Sequence, residues 1–113
     1  MILLEKIKKY IDDNRGGVSF AELSKIDGFN GDREISFDSA KFSNIIVWSG
    51  VSEEAVSSLR KLVDNKSYHF HPTSSLTYMA DGAMLNIPIA KSVRHYKTPH
   101  WIPTVINIGM PPL

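Results

Sequence analysis

The stretch SEEAVSSLRKLVDNKSYHFH, residues 52–71, changes its apolar period midway, and that change sets the fold class. Ala55, Val56, Leu59, Leu62 and Val63 recur at three- and four-residue spacing, which gathers them on one face of a helix. Ser52 is a good N-cap, and Glu53 and Glu54 stand in the first turn, where the helix dipole favours anions. Asp64-Asn65 marks the exit. From Tyr68 the period is two: Tyr68-His69-Phe70-His71 alternates as a strand does, and Pro72 stops it. A helix that feeds a strand within one short chain predicts an α+β domain.

Upstream, Leu3, Leu4, Ile7, Tyr10 and Ile11 predict a helix over residues 2–14, closed by Gly16-Gly17. Ser19-Phe20-Ala21-Glu22 reads as a capping box that opens a short helix over residues 20–26. Residues 27–51 hold a turn signal at Asn30-Gly31 and two strand-like runs, Glu34–Phe37 and Ile45–Trp48. Downstream, Leu76-Thr77-Tyr78-Met79 alternates, Asp81-Gly82 signals a two-residue hairpin, and residues 84–89 supply a return strand ending near Pro88. The tail, about 91–113, begins basic and aromatic and runs on as Ile102-Pro103-Thr104-Val105-Ile106-Asn107-Ile108, which has strand character.

The 113 residues make one domain large enough to bury a core without staples. There is no cysteine, which excludes disulfides and thiolate sites and fits a cytoplasmic protein. No apolar run approaches the roughly 20 residues that span a bilayer, so a membrane is not expected as a partner. Net charge is +1, yet its distribution is uneven. Residues 1–64 hold nine Lys/Arg against eleven Asp/Glu; residues 65–113 hold four against one, together with all four histidines. No acidic residue follows Asp81, so an anion-binding face in this half meets little local opposition.

The run Leu4-Glu5-Lys6-Ile7-Lys8-Lys9-Tyr10-Ile11 through Val18-Ser19-Phe20-Ala21-Glu22-Leu23 resembles the opening of winged helix-turn-helix repressors, with a looser match over residues 52–82. The resemblance implies three helices with a small antiparallel sheet. It puts the recognition helix at 52–65, the wing strands within 68–80 and the wing tip at Pro72–Ser75. On this reading the chain is a single winged-helix-like domain with a basic, aromatic tail, and it binds double-stranded DNA or regulates transcription. Arg60, Lys61, Lys66, Lys91, Arg94 and Lys97 are the candidate contacts. The chain departs from the family in separating its second and third helices by residues 27–51, and in opening the third helix with Glu53-Glu54, where carboxylates repel phosphates.

The alternative is a protein-interaction or self-associating module with neither nucleic-acid binding nor catalysis. Trp48, Trp101, Ile106 and Ile108 are its candidate contacts, and its partner is another protein or a second copy of the chain. His69 and His71 are metal candidates, since residues two apart on a strand share a face, with His95, His100 or Asp81 as a third ligand. The sequence lacks a Gly-x-Ser-x-Gly elbow, a glycine-rich phosphate loop and carboxylate pairs at converging helical spacing. The expectation is therefore a non-enzymatic protein without a cofactor.

Overall fold

Each helix is explained by an apolar stripe and a local stop. A computed structural model describes residues 1–37 and 42–111. Helix α1 (Leu3–Asp13) buries Leu3, Ile7 and Ile11 and leaves its lysines and aspartates in water, where Lys8–Asp12 and Lys9–Asp13 pair at four-residue spacing. Strand β1 (Val18–Ser19) follows and leads into α2 (Phe20–Leu23) through the expected capping box. Ser19 Oγ accepts from the Glu22 N–H, and the Ser19 N–H donates to Glu22 Oε1. Helix α3 (Glu53–Asp64) starts at Ser52, whose Oγ accepts from the Ala55 N–H, and buries Ala55, Leu59 and Leu62.

Two sheets form. Strands β4 (Tyr68–Pro72) and β6 (Thr104–Ile108) join β1 in the antiparallel order β1-β6-β4. Strands β2 (Asn30–Phe37), β3 (Ser43–Val51) and β5 (His95–Trp101) make the second sheet in that order, β2 antiparallel and β5 parallel to β3.

The second sheet is built from two excursions of the chain. The first, β2 with β3, leaves after Phe29 and returns at Ser52, where the Ser52 N–H donates to the Phe29 carbonyl at 2.7 Å. At that crossing a Cβ on Gly31 would stand 2.6 Å from Ser52 Cα, so only glycine lets the two backbones meet. The second excursion leaves β4 after Pro72 and re-enters β6 at Thr104. Those two residues face each other in register, and the Thr73 N–H donates to the Pro103 carbonyl at 2.8 Å. This second excursion holds helix α4 (Ser75–Asp81) and β5.

An aromatic group joins the halves. Trp48 lies 6.3 Å from Phe20, 5.2 Å from Tyr78 and 6.1 Å from Trp101, ring centre to ring centre. The Trp101 indole N–H donates to the Val47 carbonyl, so the buried ring leaves no polar atom unpaired.

The expectation of three helices with one small antiparallel sheet is overturned, although the α+β class holds. Among the described residues there are four helices and six strands in two three-stranded sheets. The hairpin expected at Asp81-Gly82 is helix α4 instead. Ser74 Oγ accepts from the Leu76 N–H at its start, and Gly82 closes it with a left-handed φ of 88°. Residues 84–88 form no strand, and the expected wing tip at Pro72–Ser75 is the lead into that helix. The second half of the expected tail supplies β6, the middle strand of the first sheet; its last two residues lie outside those described.

Candidate interaction surface

Tyr78 decides which way α4 faces. Its ring is buried against Trp48 and Trp101, and its hydroxyl donates to the Thr104 carbonyl while accepting from the Phe20 N–H. Burial pushes this phenol well above its ordinary range, so it stays a donor at any physiological pH. At the far end of the helix Ser19 Oγ donates to Asp81 Oδ2 at 2.6 Å. With one side pinned in this way, the opposite side turns Leu76 and Met79 outward, 69% and 60% exposed. Met84, Ile89 and Val93 continue this apolar exposure along the connection to β5. Five of the nine large exposed apolar side chains among the described residues thus sit on the second excursion. A concentration of this kind marks an interaction site more often than scattered single residues do.

Cations flank the apolar residues. Residues 88–90 lie along the end of β5, with the Ala90 N–H donating to the Trp101 carbonyl and the Trp101 N–H to the Pro88 carbonyl. The chain then turns out through Lys91–Arg94. The Arg94 guanidinium lies 4.4 Å from the Tyr96 ring centre, and the His100 ring is stacked 4.0 Å from that same ring. The Tyr96 hydroxyl donates to the Ser92 carbonyl at 2.7 Å and ties the turn to the strand. Lys91, Arg94 and Lys97 are exposed, and no ion pair among the described residues involves them.

The six cations expected to contact nucleic acid separate into two sets. Lys91 and Arg94 line one recess with Tyr96 and His100. Arg60 lines another with Arg33, Glu34 and Glu53, and the two recesses share no residue. Lys61 and Lys66 are exposed near the end of α3. The outward side chains of α3 include Glu53, Glu54, Arg60, Lys61 and Asp64, three carboxylates against two cations, a sum of −1. Strand β2 packs on the same helix, with Arg33 3.6 Å from Glu53. Helix α3 therefore presents mixed charge, its own outward carboxylates exceeding its cations by one, with Arg33 of β2 beside Glu53.

The expected protein contacts fall mostly inside. Trp48, Trp101 and Ile106 are core residues, Trp101 and Ile106 almost completely buried, so in this fold they reach no partner; Ile108 alone of the four is exposed. The apolar run Ile45–Trp48 and the strand character of residues 102–108 marked Trp48, Ile106 and Ile108 as strand residues, but not which of them the sheets bury. Leu76, Met79 and Val93 escaped the sequence reading. The available signal was Ser74 and Gly82 as helix caps, which would have turned Leu76 and Met79 to one helical face.

The paired histidines diverge. His69 is buried, and its Nδ1–H donates to the Gly109 carbonyl at 2.8 Å; His71 is exposed, its ring centre 6.2 Å away. His95 and His100 engage Ser43 and the Thr98 carbonyl, and Asp81 engages Ser19. Among the described residues no three His, Asp or Glu side chains gather as a metal site. Nor is any helix among them long and apolar enough to cross a membrane. Comparison of the chain with protein-family models, with curated proteins and with solved structures finds no match.

Proposed function

We propose that the chain is a non-catalytic protein-interaction module whose partner docks on the second excursion, residues 73–103. The observation that carries this reading is the outward apolar face of α4, Leu76 and Met79, continued by Val93 and bordered by cations that form no ion pair among the described residues. An isolated exposed leucine needs no explanation, but several on one short segment that is itself firmly anchored do. Tyr78 and Ser19 hold α4 in place, so the exposure is built into the fold. A photo-reactive amino acid at position 76 or 93 should capture one defined protein in the cell of origin, and the same group at position 9 should not. Capture at neither 76 nor 93 would end this reading.

The first sheet supports a second reading. It takes up the resemblance of residues 1–26 to winged-helix repressors, and what supports it is the succession α1, β1, α2, α3, β4, β6 with sheet order β1-β6-β4, the two excursions set aside. In such an arrangement residues 73–103 occupy the wing, and Lys91, Arg94 and Lys97 on it form no ion pair among the described residues. DNA would then be held by the wing and not by α3. Binding to mixed-sequence duplex must weaken steeply as salt rises if phosphates carry it. A steep slope that is lost on reversing Lys91, Arg94 and Lys97 would favour this reading; no binding at low salt would eliminate it.

A further inference from the structure

The turn at residues 91–94 is held on both sides. Before it, Ile89 bridges to Trp101 and the Ala90 N–H donates to the Trp101 carbonyl. After it, the Tyr96 hydroxyl donates to the Ser92 carbonyl at 2.7 Å and accepts from the Ser92 N–H at 3.3 Å. The recess beside this turn holds about 280 Å³ and is walled by Ile89, Lys91, Ser92, Arg94, Tyr96 and His100. We propose that it binds the phosphate of a small phosphomonoester. The ligand is a small molecule, so the assignment goes beyond both readings of the macromolecular partner.

Charge and hydrogen bonding point to this ligand together. The walls carry two cations and no carboxylate, and neither Lys91 nor Arg94 forms an ion pair among the described residues. A phosphomonoester brings a charge of about −2 at neutral pH and oxygens that are strong acceptors. The Lys91 ammonium, the Arg94 guanidinium and the Ser92 hydroxyl are the donors to meet them. Arg94 is already ordered, 4.4 Å over the Tyr96 ring centre, so it loses little freedom on binding. His100 completes a fixed wall: its ring stacks 4.0 Å from that of Tyr96, and its Nδ1–H donates to the Thr98 carbonyl at 2.8 Å. Pockets for drug-sized ligands begin at about 300 Å³, so this recess suits something smaller. Inorganic phosphate at neutral pH keeps a hydrogen to donate, and no carboxylate in these walls accepts it. In an ester a carbon takes the place of that hydrogen and meets Ile89, the one aliphatic wall.

The test titrates the full chain, labelled with nitrogen-15, with methyl phosphate. Mildly alkaline pH keeps the ester a dianion, and constant ionic strength removes general screening. The amides of residues 89–96 should shift saturably. Dimethyl phosphate, a monoanion, should bind about tenfold more weakly. Lys91→Gln and Arg94→Gln should each weaken methyl phosphate about tenfold, the loss expected of one charge-assisted hydrogen bond, and leave the remaining spectrum in place. Lys97→Gln removes the same charge from β5, outside these walls, and should leave the affinity unchanged. No saturable shift at these amides, or equal binding of the monoester and the diester, overturns the proposal. So does a loss in Lys97→Gln equal to that in Lys91→Gln, which would mark a diffuse field in place of a site. Inorganic phosphate separates the two sources of the dianion. Weaker binding than methyl phosphate supports the ester; equal or tighter binding overturns it in favour of free phosphate.

Discussion

Trp48 touches Phe20 of α2 and, on the second excursion, both Tyr78 and Trp101. Its replacement by alanine removes contacts that no neighbour can restore, and we expect a loss of about 3–5 kcal/mol in denaturant unfolding. Tyr78→Phe keeps the ring and removes a hydroxyl that both donates and accepts in the interior. A cost of about 1–3 kcal/mol should follow from the carbonyl and N–H left without it. The same hydroxyl has a pH signature. Burial raises its folded pKa, so above about pH 10 the unfolded chain gives up this proton first and stability falls as pH rises. A shallower alkaline decline in Tyr78→Phe would confirm that assignment. Asp12 acts in the opposite sense. The Tyr68 hydroxyl, and after it Lys8, hold its carboxyl below the usual range. Its contribution is present above about pH 4 and fades as pH falls through the lowered folded value, so Asp12→Asn should flatten the acid limb of stability against pH.

Among the elements, α1 and α3 were legible because their stripes run for three turns, and in α3 the Ser52 cap agrees with the stripe. Helix α4 was not, because its polar–apolar alternation spans only four residues, too few to separate period two from period 3.6, and Asp81-Gly82 also suits a turn. Strand β1 has two residues and no periodicity at all; only its pairing with Val105 and Ile106 makes it a strand. The cations of the candidate surface could be read from charge counts, whereas the exposure of Leu76 and Met79 depends on where Tyr78 is buried, and no local pattern reports that. Two substitutions probe the elements directly. Ser52→Ala removes the cap of α3 and the hydrogen bond from Ser52 to the Gly28 carbonyl, and should cost about 0.5–2 kcal/mol in thermal or denaturant unfolding. Gly31→Ala should cost more than Ser52→Ala, since its Cβ would meet backbone, which cannot rotate aside.

At the scale of the molecule, the residues of the proposed interaction surface are not those of the core. Leu76→Ser with Met79→Ser should therefore leave unfolding within about 0.5 kcal/mol per site, as surface changes do, while capture of a partner at position 93 is lost. Unchanged capture would move the surface away from α4. Strand β6 sets a separate condition on how the chain is made. It lies between β1 and β4, and Val18 pairs with Ile106 across 88 residues of sequence. During synthesis the first sheet lacks its middle strand until β6 has been added. Helix α1 is complete early, yet its stripe of Leu3, Ile7 and Ile11 has no β6 to pack on. At the usual rate of about 5–20 residues per second, that stripe waits about 5–19 s for β6 to be synthesised. Between the synthesis of α1 and that of β6 the nascent chain is thus a client for holding factors, and protection of α1 from protease should appear in one step, once β6 is free to pair.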